Sequence, residues 1–316
     1  MVLSPRRPAV QVDRLHRYFG TTKAVQDLSF EVYPGEVFGY IGPNGAGKTT
    51  SMRILATLDE PTYGDAMVDG FSVVDDPDRV RKRLGFMPDY FGAYQNVNVR
   101  EYLDFFARAY GLSGMERTRA IDRVMEFTLL DRLALKPIDG LSKGMKQRLC
   151  LGRTMIHDPS VLILDEPAAG LDPRARIELR EMIAAVAAAG KAVLISSHIL
   201  TELAEICHRV GIIEQGQLLA VGTVDEISAS AETISRVRVR VLGDPSGLRS
   251  WFAARGDVRD LEESEGRFTL THEGGPEEQA ALLRQIVSAG FAVIEFASKT
   301  KSLEDVFLHV TEGRVQ

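Results

Sequence analysis

Two cysteines, Cys150 and Cys207, are too few for a disulfide framework in 316 residues. They fit a reducing cytosol, and both are expected to pack as small buried hydrophobes. Long apolar runs are also missing. A membrane span takes about 18 or more consecutive apolar residues. The most apolar stretch, 183–200, is interrupted by Gly190, Lys191, Ser196, Ser197 and His198. If the protein acts at a membrane, another chain must supply the spans. Residues 1–10 place Arg6-Arg7 between prolines with no apolar core behind them, so neither a secretory nor a twin-arginine leader is expected. Excess positive charge is absent as well. The 38 Lys and Arg are outnumbered by 44 Asp and Glu, a net charge of −6, which argues against a phosphate-backbone binder working by bulk charge. Internal repeats and heptad runs are absent too.

What is present is an ordinary globular composition, 45% hydrophobic and 26% charged, long enough for two domains. Over residues 9–223 strand-like and helix-like runs alternate. Residues 9–15, 28–33 and 37–41 read as strands, and 49–58 as a helix after a Gly-rich loop. Residues 100–130 carry only helical patterns. The short apolar runs 161–164 and 192–196 are of the kind found in buried parallel strands. Asp172-Pro173 opens a helix that ends near Gly190. The expectation is an α/β core with a parallel sheet and a helical insertion at about 95–158.

Residues 224–233 read as a short helix and linker. Beyond them Val237, Val239 and Val241 alternate with Arg236, Arg238 and Arg240, the period of a one-sided strand. Helix, two strands, helix and strand follow. A last helix is expected where Leu303, Val306, Phe307 and Val310 share one face, behind a Ser302/Asp305 capping box. This βαββαβα order over 234–316 suggests a small α+β, ferredoxin-like accessory domain. Residues 226–316 hold 15 acidic and 11 basic side chains, so this domain is no nucleic-acid module. The arginine row reads as a solvated face or as a contact for an acidic surface.

Three motifs carry chemistry. Gly42-Pro43-Asn44-Gly45-Ala46-Gly47-Lys48-Thr49, followed by Thr50, fits the phosphate-binding loop pattern. Its amides can close around phosphate oxygens at a helix N-terminus. Lys48 should reach the β- and γ-phosphates and Thr49 should ligate Mg²⁺. In Val161-Leu162-Ile163-Leu164-Asp165-Glu166 an apolar strand delivers two carboxylates. Asp165 suits the metal shell and Glu166 the polarisation of an attacking water; taken alone, the pair is equally compatible with a helix cap. Between them, Leu141-Ser142-Lys143-Gly144-Met145-Lys146-Gln147-Arg148 opens a basic helix, as an anion site or as a plain N-cap by Ser142.

Together these motifs resemble the nucleotide-binding subunit of ATP-binding cassette (ABC) transporters. Residues 42–50 are similar to Walker A, 141–148 to the signature, 161–166 to Walker B, Ala169-Gly170-Leu171-Asp172 to the D-loop, and Ser196-Ser197-His198 to the histidine switch. Of the pair Tyr18-Phe19, Phe19 aligns with the ring that stacks on adenine. The resemblance implies a P-loop NTPase core, ATP and Mg²⁺ as ligands, and ATP hydrolysis that drives a separate membrane permease. Glu166 is then the catalytic base, His198 a γ-phosphate sensor and Lys48 a phosphate ligand. Two subunits, expected to be identical copies, would pair head to tail, each ATP lying between the Walker A of one and Ser142 and Gly144 of the other. The protein would sit on the inner face of the cell membrane through the permease.

Two departures stand out. The Q-loop position reads Met87-Pro88-Asp89, a carboxylate where glutamine is usual; Asp89 can still ligate Mg²⁺, or be an unrelated loop residue. The signature carries Lys143 and Met145 in place of Gly and Gln, a variant resembling the multidrug and ABC-2-type exporter branch. The ending Leu303-Glu304-Asp305-Val306-Phe307 is similar to that branch too. Alternative readings are a soluble, non-transport ABC ATPase and a nucleotide-dependent regulator. The single Walker A and the lack of heptads weigh against the first, and Glu166 and His198 against the second.

Overall fold

A computed structural model describes residues 7–92, 96–198, 205–229, 234–243, 245–264, 266–273 and 275–299. The chain divides into two compact units, one over residues 1–222 with 314–316 and one over 223–313.

The first unit is built on a six-stranded sheet. Its strand order is Gln217–Thr223, Arg209–Glu214, Val37–Ile41, Ala192–Ser197, Val161–Leu164 and Leu84–Met87. The last five pair in parallel. Val161–Leu164 and Ala192–Ser197 are buried at every position, which is why they read as unbroken apolar runs. Gln217–Thr223 joins at the edge through a two-residue turn in which Gln215 and Gly216 both have positive φ, 49° and 78°.

A second sheet stands in addition to the expected parallel one. Thr22–Val32, Val10–Phe19, Tyr63–Val68 and Phe71–Ser72 form a four-stranded antiparallel sheet. Strands expected at 9–15 and 28–33 are thus two arms of a longer hairpin within it. The two sheets enclose one core with the helix Lys48–Leu55, through Phe30, Phe38, Tyr40, Met52, Ile163 and Leu194. That helix ends earlier than the pattern suggested, because Thr57 turns left-handed (φ 56°). Of the two cysteines Cys150 is buried but Cys207 is only partly covered, and burial pushes both thiols up.

The insertion is helical. Val99–Ala109 opens with a complete capping box between Asn98 and Glu101, and Gly114–Phe127 follows. Both pack on the helix Lys143–Met155 through Leu103, Ile121, Val124 and Leu149. Pro173–Ala188 then starts behind Asp172, whose carboxylate accepts from the Ala175 amide at 2.9 Å.

In the second unit, Thr223 and Glu226 cap each other at the start of Val224–Ala229. An antiparallel sheet follows, in the order Val258–Ser264, Arg267–Glu273, Ile234–Val241, Val293–Lys299. Helices Ser246–Ala253 and Pro276–Ser288 supply Leu248, Phe252, Leu282 and Ile286 to a core with Val237, Val239, Phe268 and Leu270. This is the ferredoxin-like strand order. The expected last helix at 302–310 and its capping box lie outside the described residues.

Candidate functional site

The loop 42–47 leaves the buried strand Val37–Ile41 and feeds the helix Lys48–Leu55. Its path requires glycine twice. A Cβ on Gly42 would lie 2.3 Å from the Ile213 carbonyl oxygen, and one on Gly47 (φ 101°) 2.3 Å from that of Ala24. The loop is braced from outside, since the Gly216 amide donates to the Ala46 carbonyl at 2.9 Å. Ser51, one turn into the helix, anchors it to the sheet with its hydroxyl 3.1 Å from the Tyr40 hydroxyl.

Lys48 is 5% exposed and curls back over its own loop, donating to the carbonyl oxygens of Gly42 at 2.6 Å and Pro43 at 3.1 Å. Its Nζ is also 3.7 Å from Glu166 Oε1. Burial pulls the Lys48 ammonium below the ordinary lysine range, and the Glu166 and Asp165 carboxylates oppose that pull. Asn44, Gly45 and Thr49 are exposed, Pro43 and Thr50 half-buried, and Ala46 buried.

The strands Val161–Leu164 and Ala192–Ser197 end side by side, with Leu164 paired to Ile195. Asp165 and Glu166 emerge from one and Ser196, Ser197 and His198 from the other. The Ser196 hydroxyl donates to Asp165 Oδ1 at 2.6 Å and accepts from the Glu166 amide at 2.9 Å. His198 Nδ1 donates to Glu166 Oε2 at 2.8 Å. Asp165 Oδ2 is buried with no hydrogen-bond partner among the described residues. A bare carboxylate oxygen in a dry site is costly unless a cation meets it, so the donor set fits Mg²⁺. Glu166 has φ 48°, a left-handed turn that is uncommon outside glycine.

Lys48, Asp165, Glu166 and His198 therefore converge, as the motifs suggested. Asp89, two residues beyond the Met87 that pairs with Leu164, follows the same C-terminal end of the parallel strands. It is exposed and makes no hydrogen bond or ion pair with another described residue. Phe19 is 48% exposed, with the Arg17 guanidinium 4.5 Å from its ring centre. Tyr18 is turned to His16, whose Nδ1 lies 2.9 Å from its hydroxyl. Ser142 is exposed and caps Lys143–Met155, accepting from the Met145 amide at 3.3 Å. Gly144 packs instead on the helix behind the D-loop, where a Cβ on it would lie 2.8 Å from that of Ala175. Ser196 enters the motifs only as part of Ser196-Ser197-His198, with no role of its own. The signal for one was a hydroxyl at the end of an otherwise apolar strand.

Comparison with known proteins agrees with this geometry. Residues 25–169 match the family model "ABC transporter", and 222–311 match "ATP-binding protein DrrA1-3-like, C-terminal domain". The chain is 34% identical over 309 residues to "Nod factor export ATP-binding protein I" of Paraburkholderia xenovorans (strain LB400), covering 98% of each. It is 36% identical over 228 residues to "Probable multidrug ABC transporter ATP-binding protein YbhF" of Escherichia coli (strain K12), covering 72% of this chain and 39% of that one. A solved structure titled "Structure of ATP binding subunit of ABC transporter" superposes with a TM-score of 0.64 at 31% identity, over 71% of this chain and 93% of that one. The phosphate loop, the paired carboxylates and these likenesses together place the chain in the ABC transporter family, as an ATP-binding subunit of the kind that hydrolyses ATP to power transport.

Proposed function

We propose that this subunit hydrolyses ATP between two copies of itself and drives export through a separate membrane permease, on whose inner-face surface it sits. The convergence of Lys48 and His198 on Glu166 carries the catalytic part of this reading. Glu166 accepts the proton of the water that attacks the γ-phosphate. His198, held on the same carboxylate, orients it and then meets the γ-phosphate. Lys48 leaves the Gly42 and Pro43 carbonyls for the β- and γ-phosphates, exchanging neutral acceptors for charged ones. The amides of residues 42–50 cradle the phosphates, and Phe19 offers adenine the ring face that Arg17 leaves uncovered. Mg²⁺, which neutralises phosphate charge when bound, would be held by Thr49, Asp165 and Asp89. Ser142 and Gly144 stand at the N-terminus of a 13-residue helix, a suitable anion site for the nucleotide of the opposite copy.

Nucleotide chemistry is assigned to residues 9–223 and an accessory role to 234–316. For the permease we assign the groove of about 360 Å³ lined by Asn96, Val97, Glu101, Tyr102 and Phe105, where Phe105 is 61% exposed. Export, rather than import, is supported by the likeness over nearly the whole chain to a Nod factor export ATP-binding protein. The test is co-expression with a membrane protein encoded beside it. Co-purification and cargo-stimulated ATP hydrolysis, lost in Lys48→Ala, are expected; a purified pair with no ATP-dependent transport overturns the assignment.

A further inference from the structure

Ser196 has no exposed surface, and its neighbours in the strand, Ala192 to Ile195, are apolar. A buried hydroxyl is tolerated only when it is satisfied. This one is satisfied twice, and both partners belong to the adjacent strand end: it donates to Asp165 Oδ1 and accepts from the Glu166 amide.

The two bonds have different consequences. The first occupies one oxygen of Asp165 and leaves the buried Oδ2 as the bare one. The second grips the backbone of Glu166 where φ is 48°. A non-glycine residue holds such a turn only when its surroundings over-determine it. That turn directs one Glu166 oxygen towards Lys48 and the other towards His198.

We propose that Ser196 is the positioning residue of the hydrolytic site. Its single hydroxyl selects which Asp165 oxygen faces the cation and fixes the turn that carries Glu166. The proposal rests on the roles given above to Asp165 and Glu166.

The test compares Ser196→Ala, Ser196→Thr and Ser196→Val in the full-length protein. Thr and Val have nearly the same shape and differ in the hydroxyl, so that pair keeps the test decisive where Ala is poorly folded. Amide hydrogen exchange resolved at Glu166, without nucleotide, is expected to speed up about 10-fold or more in Ala and Val and to stay near wild type in Thr. The gain in ATP affinity on adding Mg²⁺ should shrink several-fold in Ala and Val, with metal-free ATP binding unchanged. The kcat for ATP hydrolysis should drop about 10- to 100-fold at little-changed KM, the size expected for losing a hydrogen bond to a charged group. Unaltered exchange at Glu166 in Ala and Val, or a Val variant equal to Thr in kcat and in Mg²⁺ response, overturns the proposal. Failure of the underlying reading is distinguishable: near-normal turnover in Glu166→Gln removes the base assignment and leaves the exchange result intact.

Discussion

Lys48 Nζ and Glu166 Oε1 stand 3.7 Å apart, an ion pair joining the phosphate loop to a carboxylate delivered two strands along the sheet, beyond Ala192–Ser197. Both side chains are largely buried, at 6% and 15% exposure. Neutralising the carboxylate should therefore alter turnover and nucleotide affinity differently. Glu166→Gln is expected to lower the hydrolysis rate ~10²–10⁴-fold, the usual contribution of a general base. ATP binding should persist and tighten, since Lys48 is freed for phosphate. Steady-state hydrolysis and equilibrium ATP titration together check this. Near-normal hydrolysis would falsify the base assignment.

The signature helix and the helix behind the D-loop meet at Gly144 and Ala175 with no room for another methyl. Alanine at 144 gains about 1 kcal/mol of helix propensity, but overpacking typically costs about 1–3 kcal/mol. Gly144→Ala should lower the melting temperature alone and raise it in an Ala175→Gly background. Equal shifts in both backgrounds would show that the two residues are uncoupled.

His157 gives the fold an acid-sensitive point. Its ring stacks on Tyr110 at 3.6 Å, Nε2 lies 3.2 Å from the Leu84 carbonyl oxygen, and Nδ1 is buried without a hydrogen-bond partner among the described residues. Burial lowers its pKa from 6.5 to about 4. Between those values the unfolded chain binds the proton and the folded one does not, so stability rises with pH. The contribution is complete above the unfolded value and is lost as pH falls towards 4. Going from about pH 7.5 to about pH 5 should cost about 2 kcal/mol through this residue. Denaturant titrations at both pH values should show a smaller decrease in His157→Gln than in wild type; parallel decreases would exclude His157 as the cause.

Asp89 and Asp165 follow the C-terminal ends of adjacent parallel strands. A third carboxylate near phosphate is repelled until a cation intervenes. Asp89→Gln should strengthen metal-free ATP binding and change MgATP binding less. The comparison is ATP titration with and without Mg²⁺ at one ionic strength; the same Mg²⁺ dependence in both proteins would place Asp89 outside the cation's field.

The parts legible in the sequence were those determined locally. Residues 42–49 can hardly be anything but a tight amide-lined loop, given the backbone contacts of Gly42 and Gly47. The runs 161–164 and 192–197 betray burial on both faces by having no polar side until the serines. The antiparallel sheet was less visible because register shifts at Val12/Leu15 and Leu15/Arg17 break its period of two and let polar residues fall on either side. Ser196 shows in the sequence only as a hydroxyl ending an apolar strand, and its positioning role is hidden for another reason. Its partners lie some thirty residues away, and only the parallel pairing of Leu164 with Ile195 brings the strand ends together.

The turn at Gln215-Gly216 has a mechanical consequence. Its Gly216 amide braces Ala46, its carbonyl takes the Gln26 amide, and the Gln26 side chain holds the Gln215 carbonyl. The chain leaves this turn directly along Gln217–Thr223, the segment that runs into the second unit. An extended strand has little slack. Because that strand is paired to Arg209–Glu214, a pull along it is borne first by the ladder, which shields the peptide that supports the phosphate loop.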